Sequence, residues 1–73
     1  MSTKGNPSKF DSLPKLADDE PYFVLRARDP VSEALVRDWA DFAERQGCNP
    51  EKVAEARACA EAMRNWPTKK IPD

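Results

Sequence analysis

Six side chains have the chemistry to grip a ligand together: Tyr22, Arg26, Arg28, Trp39, Arg64 and Trp66. A guanidinium offers a planar fork of N–H donors that matches a phosphate, and an aromatic ring beside it offers a face on which a base stacks. That pairing suits a nucleotide-like anion. The competing reading has Arg26 and Arg28 neutralised by acidic side chains and both tryptophans in the core. For catalysis the parts are missing. There is no histidine to act as a general base, and with Gly5 and Gly47 as the only glycines there is no phosphate-cradling loop. The carboxylates have cations at helical spacing, which is the pattern of a solvated face. The chain therefore reads as a non-enzyme with no catalytic residue. Cys48 stands just before a helix start, where the dipole favours a thiolate, but without a histidine partner it reads as structural. Cys48 and Cys59 are too far apart and too few for a zinc pattern, so neither a metal nor a cofactor is expected.

The elements that must position these residues are short, because 73 residues make one thin-cored domain. The candidate core is Phe23, Leu25, Val31, Leu35, Val36, Trp39, Phe42, Val53, Met63 and Trp66, with Phe10, Leu13 and Leu16 as additions. Burying each is worth roughly 1.5–3 kcal/mol against ~1–2 kcal/mol of ordering entropy per residue, so a lone copy comes out near balance. Self-association is the remaining source of stability, and a homo-oligomer is expected. Twelve basic and thirteen acidic residues leave a net charge of -1. Such a chain has no field to draw it onto generic nucleic acid or a membrane surface. With neither a signal-like apolar run at Met1–Pro7 nor a membrane-length apolar stretch, the expected location is the cytoplasm, where both cysteines stay reduced and act as small buried hydrophobes.

Residues 1–20 read as an N-terminal arm or a disordered tail, and 21–73 as the folded domain. Tyr22 to Arg28 are aromatic, β-branched and flanked by prolines, which predicts a strand with Phe23, Leu25 and Ala27 on one face and Tyr22, Val24, Arg26 and Arg28 on the other. No second strand is evident, so its ladder must come from the arm or from another copy; otherwise the segment lies extended on the helices. Asp29-Pro30 predicts the start of a first helix running to about Gln46, with Gly47 as a left-handed stop. Its apolar stripe is Val31, Leu35, Trp39 and Phe42, with Ala34 and Ala43 beside it, and Glu33–Arg37 and Asp41–Arg45 form ion pairs on the wet side. Asn49-Pro50 predicts a second helix ending near Asn65, striped by Val53, Ala56, Ala60 and Met63, with Cys59 and Trp66 alongside. Its five alanines keep it slim, so the helices should pack as an antiparallel hairpin. Pro67 to Asp73 reads as a solvated tail. The expected fold is mainly α: a short N-terminal β-strand, then an antiparallel two-helix hairpin, completed by homo-oligomerisation.

The run Phe23-Val24-Leu25-Arg26-Ala27-Arg28-Asp29-Pro30 carries a resemblance, together with Val36, Trp39-Ala40, Ala43-Glu44, Val53, Glu55-Ala56, Ala62-Met63, Trp66-Pro67 and Pro72-Asp73. Over residues 20–73 the chain resembles a group of short, uncharacterised phage and prophage proteins. The resemblance implies context rather than chemistry: phage chains of this size are often inhibitors of a host protein or sponges for a nucleotide signal. The first functional reading is therefore a small non-enzymatic binding protein in the host cytoplasm, a homo-oligomer that binds or inhibits a host defence component. A second is a sponge that sequesters a nucleotide-like signalling molecule through Arg and aromatic residues at subunit interfaces. A third is a virion structural or assembly accessory.

Overall fold

Asn49 begins the second helix as its sequence demands. Its side-chain Oδ1 accepts from the Glu51 N–H at 2.9 Å, and Pro50 follows in the first turn. The computed structural model describes residues 2–71, so Met1 and the closing Pro72-Asp73 lie outside the described residues. In it the chain forms a single 3₁₀ turn at Leu13–Lys15, then helix α1 (Ser32–Arg45) and helix α2 (Pro50–Arg64). Between the helices Gly47 takes φ 81°, while the Cys48 N–H reaches the Ala43 carbonyl at 3.0 Å and the Gly47 N–H the Glu44 carbonyl at 3.1 Å. Two such bonds around a left-handed glycine close the end of α1 and turn the chain back. The two helices pack against each other as the expected hairpin.

At the other end α1 departs from expectation. It starts at Ser32 rather than Pro30, and Val31, not Asp29, is the capping residue, with no side-chain cap. A tight turn over residues 29–32, closed by the Ser32 N–H on the Asp29 carbonyl at 3.1 Å, takes the place of the first helical turn.

The face by which α1 meets α2 is also not the predicted one. The buried residues are Ser32 and Ala40 from α1 and Val53, Ala60 and Met63 from α2; Ala40 and Ala60 are fully enclosed. Ser32, Val36, Ala40 and Ala43 recur at spacings of three and four, so they form a stripe of mostly small side chains. Small residues on both helices let the backbones come close. The bulky stripe of Val31, Leu35, Trp39 and Phe42 sits one residue earlier at each step, about 100° around the helix, and it faces outward, with Phe42 63% exposed. Of the predicted core, Val53 and Met63 are buried, whereas Val36, Leu25, Phe10 and Leu16 are half-buried. Phe23, Leu13 and Trp66 are exposed. Both cysteines are free and half-buried rather than enclosed.

The third stripe of α1, at Glu33, Arg37, Asp41 and Glu44, lies on the other flank. The sequence places the first three of these on the wet side, and the stripe does stay open to solvent while also bordering α2. Arg37 holds Glu33 at 3.0 Å and Glu61 of α2 at 2.8 Å, and Arg57 of α2 holds Asp41 at 3.0 Å and Glu44 at 3.1 Å. Asp41 thus pairs across the hairpin instead of with Arg45, whose Nε donates to the Asp41 carbonyl.

No strand occurs among the described residues. Residues 21–26 run extended and unpaired, with Phe23 87% exposed, and 27–28 enter a turn. A ladder needs a second row of backbone donors and acceptors, and no neighbouring segment supplies one. Residues 8–10 instead lie along α2. Ser8 Oγ donates to Glu55 at 2.8 Å, and Lys9 pairs with Glu51 one helical turn away at 2.8 Å. The end of the chain is not simply solvated, because the Lys70 N–H donates to the Arg28 carbonyl at 2.8 Å and Lys69 Nζ to the Ala27 carbonyl at 3.0 Å.

Candidate functional site

The clip between the tail and the 27–28 turn builds a small basic cavity. Arg26 and Arg28 reach it from the turn, whose shape is fixed by the Asp29 N–H on the Arg26 carbonyl at 3.0 Å. Trp66 and Thr68 reach it from the segment after α2, where the Trp66 N–H still bonds the Met63 carbonyl at 3.2 Å. The cavity holds about 360 Å³ and is lined by Arg26, Ala27, Arg28, Trp66 and Thr68. Among the described residues no carboxylate lines it. Neither guanidinium forms an ion pair among the described residues, and Arg28 Nε is buried without a partner. Trp66 is half exposed, so its ring is open to a ligand.

Of the six residues singled out in the sequence, the fold therefore brings together Arg26, Arg28 and Trp66. Tyr22 lies elsewhere, in a broad depression between the arm and residues 22–27 that Arg26 also borders. Trp39 belongs to the outward stripe of α1, with Lys52 Nζ 5.8 Å from its ring centre. Arg64 ends α2 and does not line the cavity. Thr68 escaped the sequence reading because nothing in Pro67-Thr68-Lys69-Lys70 signals that this stretch folds back.

The outward flank of α1 forms the second candidate surface. Leu35, Val36 and Trp39 meet Phe10, Leu25 and Cys59 in an apolar groove of about 330 Å³, with Lys52 and Glu55 at its margin. It continues into a depression around Leu35, Trp39 and Phe42. Arg45 sits 5.5 Å from the Phe42 ring centre at its far end. The helical period of the stripe was legible, but its destination was not. Phe10 and Cys59 join it only through docking of the arm and packing of α2.

Charge is arranged differently on the ion-paired flank. There the Arg57 guanidinium, by hydrogen bond first and by charge second, holds the Glu44 carboxyl below its ordinary value. Glu44 and Asp41 in turn raise Arg57, and Glu33 and Glu61 raise Arg37. These groups satisfy one another within the chain.

Among the described residues no group of His, Cys, Asp or Glu is placed to hold a metal ion, and no helix is long and apolar enough to cross a membrane. The arrangement is that of a helical hairpin with one apolar flank and one basic pocket. No family model matches the chain, and no curated protein or solved structure matches it either.

Proposed function

We propose that this chain is a small non-enzymatic binding protein that works as a homo-oligomer, with copies joined across the outward flank of α1, and that the assembly occupies or inhibits a larger target in a host cell. One observation carries this reading: the bulkiest apolar stripe in the molecule, Val31, Leu35, Trp39 and Phe42, lies outside the core. Contiguous exposed apolar surface on a small domain marks an interaction face. Since the ion-paired flank of α1 is already satisfied by α2, the unmatched side is the apolar one. A second copy presents the same stripe, so a two-fold contact is self-complementary by construction. The resemblance to short phage proteins supports a host component, such as a defence protein, as the target.

Sedimentation of the free protein tests the reading. The expected result is an oligomer at micromolar concentration, a Tm that rises with protein concentration, and dissociation to folded monomer by Phe42→Glu. A folded monomer whose Tm is independent of concentration would overturn it.

A further inference from the structure

We infer that the cavity between the 26–28 turn and the 66–68 segment is a binding site for a single nucleotide, with Arg26 and Arg28 on its phosphate and Trp66 under its base. The site goes beyond the self-association proposed above and does not depend on it.

The first ground is the state of the arginines. Arg37 and Arg57 are each held by two carboxylates. Arg26 and Arg28 have none among the described residues, although the chain carries thirteen acidic residues. Arg28 Nε is shielded from solvent and unpartnered, and a buried charged donor of this kind is stable only when something accepts from it. An anion in the cavity supplies that acceptor. Arg26, Arg28 and Thr68 all line the same space, so two planar forks and a hydroxyl belong to residues that one phosphate could reach.

The second ground is the ring. Trp66 follows the last turn of α2 and is 53% exposed, so an indole face is available beside the guanidiniums instead of packing in the core. An inorganic anion needs no ring. A phosphate attached to a planar heterocycle uses both halves of the site.

Size and charge select one nucleotide over a strand. The cavity of about 360 Å³ is at the small end of ligand pockets, which run ~300–1,000 Å³. A net charge of -1 provides no track along which a polyanion would lie. The clip is also intrinsic to the fold: the Lys70 N–H on the Arg28 carbonyl at 2.8 Å and Lys69 Nζ on the Ala27 carbonyl at 3.0 Å hold together pocket walls that come from residues about forty apart in sequence.

Amide-resolved NMR titration of the full chain tests this with four probes: AMP, adenosine, inorganic phosphate and a single-stranded oligonucleotide. AMP is expected to shift residues 26–28 and 66–68 and to bind at least tenfold more tightly than adenosine or phosphate alone. Arg26→Ala, at an exposed position, should weaken AMP about tenfold or more while leaving the spectrum otherwise native. Arg28→Lys retains charge but loses the fork, and should weaken it severalfold. Trp66→Ala should remove most of the advantage of AMP over phosphate, since base stacking is worth on the order of tenfold. The site is refuted if millimolar AMP leaves these residues unshifted, or if Arg26→Ala binds as the parent does. Phosphate binding as tightly as AMP refutes the role of Trp66, and an oligonucleotide that binds more tightly per site than AMP refutes the single-nucleotide assignment.

Discussion

The two flanks of α1 have the same helical period and opposite fates. Along Glu33, Arg37, Asp41 and Glu44 every charge finds a partner within the chain, and Arg37, Asp41 and Glu44 find theirs on α2. Along Val31, Leu35, Trp39 and Phe42 the side chains remain substantially open. Between them the narrow stripe of Ser32, Val36, Ala40 and Ala43 makes the contact with α2. The difference teaches that the core of a slim hairpin is chosen by closeness of approach rather than by side-chain bulk. Two alanines allow the backbones to meet, whereas a tryptophan and a phenylalanine on the same line would hold them apart.

Enlarging the contact stripe is the strongest way to break this comparison. Ala40→Leu forces an isobutyl group into a fully enclosed position that holds a methyl, and the cost should be about 1–3 kcal/mol or more, read as a lower Tm or a failure to fold. A Tm equal to that of the parent would mean that Ala40 is not at the contact. Phe42→Glu acts on the opposite flank and should leave helicity by circular dichroism intact while dissociating the assembly. If it unfolded the chain instead, the outward stripe would belong to the core after all.

A subtler change sharpens the same contrast from the inside. Ser32 Oγ is buried with no partner, a state that costs on the order of 1 kcal/mol, so Ser32→Ala should stabilise the protein by about that amount. Loss of stability in denaturant titration would reveal an acceptor for that hydroxyl. Asn49→Ala removes the cap of α2 and should destabilise by about 1 kcal/mol in the same titration.

The smallest effect belongs to the charged flank. Glu44 lies lower when folded than its ordinary value of 4.5, so its pairing with Arg57 stabilises the fold above that value and is lost as the pH falls through the lower folded one. Tm measured from pH 6 down to pH 3 should decline less steeply in Arg57→Ala than in the parent. Equal slopes would show the pair to be idle, as exposed pairs often are.

The legible parts of this molecule are those whose cause is local. Asn49-Pro50 starts a helix because a side-chain oxygen and a ring act within two residues, and Gly47 ends one because it alone adopts φ 81° without strain. The stripes of α1 and α2 follow from period. Two expectations failed for a shared reason. The strand at 22–28 was read from composition, but a strand exists only by pairing, and no partner arrives. The bulky stripe was assigned to the core by residue type, but the packing of α2 selects the adjacent face.

By itself, then, the sequence determined where α2 starts, where both helices stop, and that the chain carries no histidine. Tertiary structure decided which face of α1 is hidden, that the arm docks Ser8 and Lys9 on α2, and that Arg26 and Arg28 meet Trp66 across about forty residues. The physical reason is range. Caps and turns are settled by bonds between near neighbours, while burial and convergence depend on which distant surfaces approach most closely, and that is a property of the whole chain.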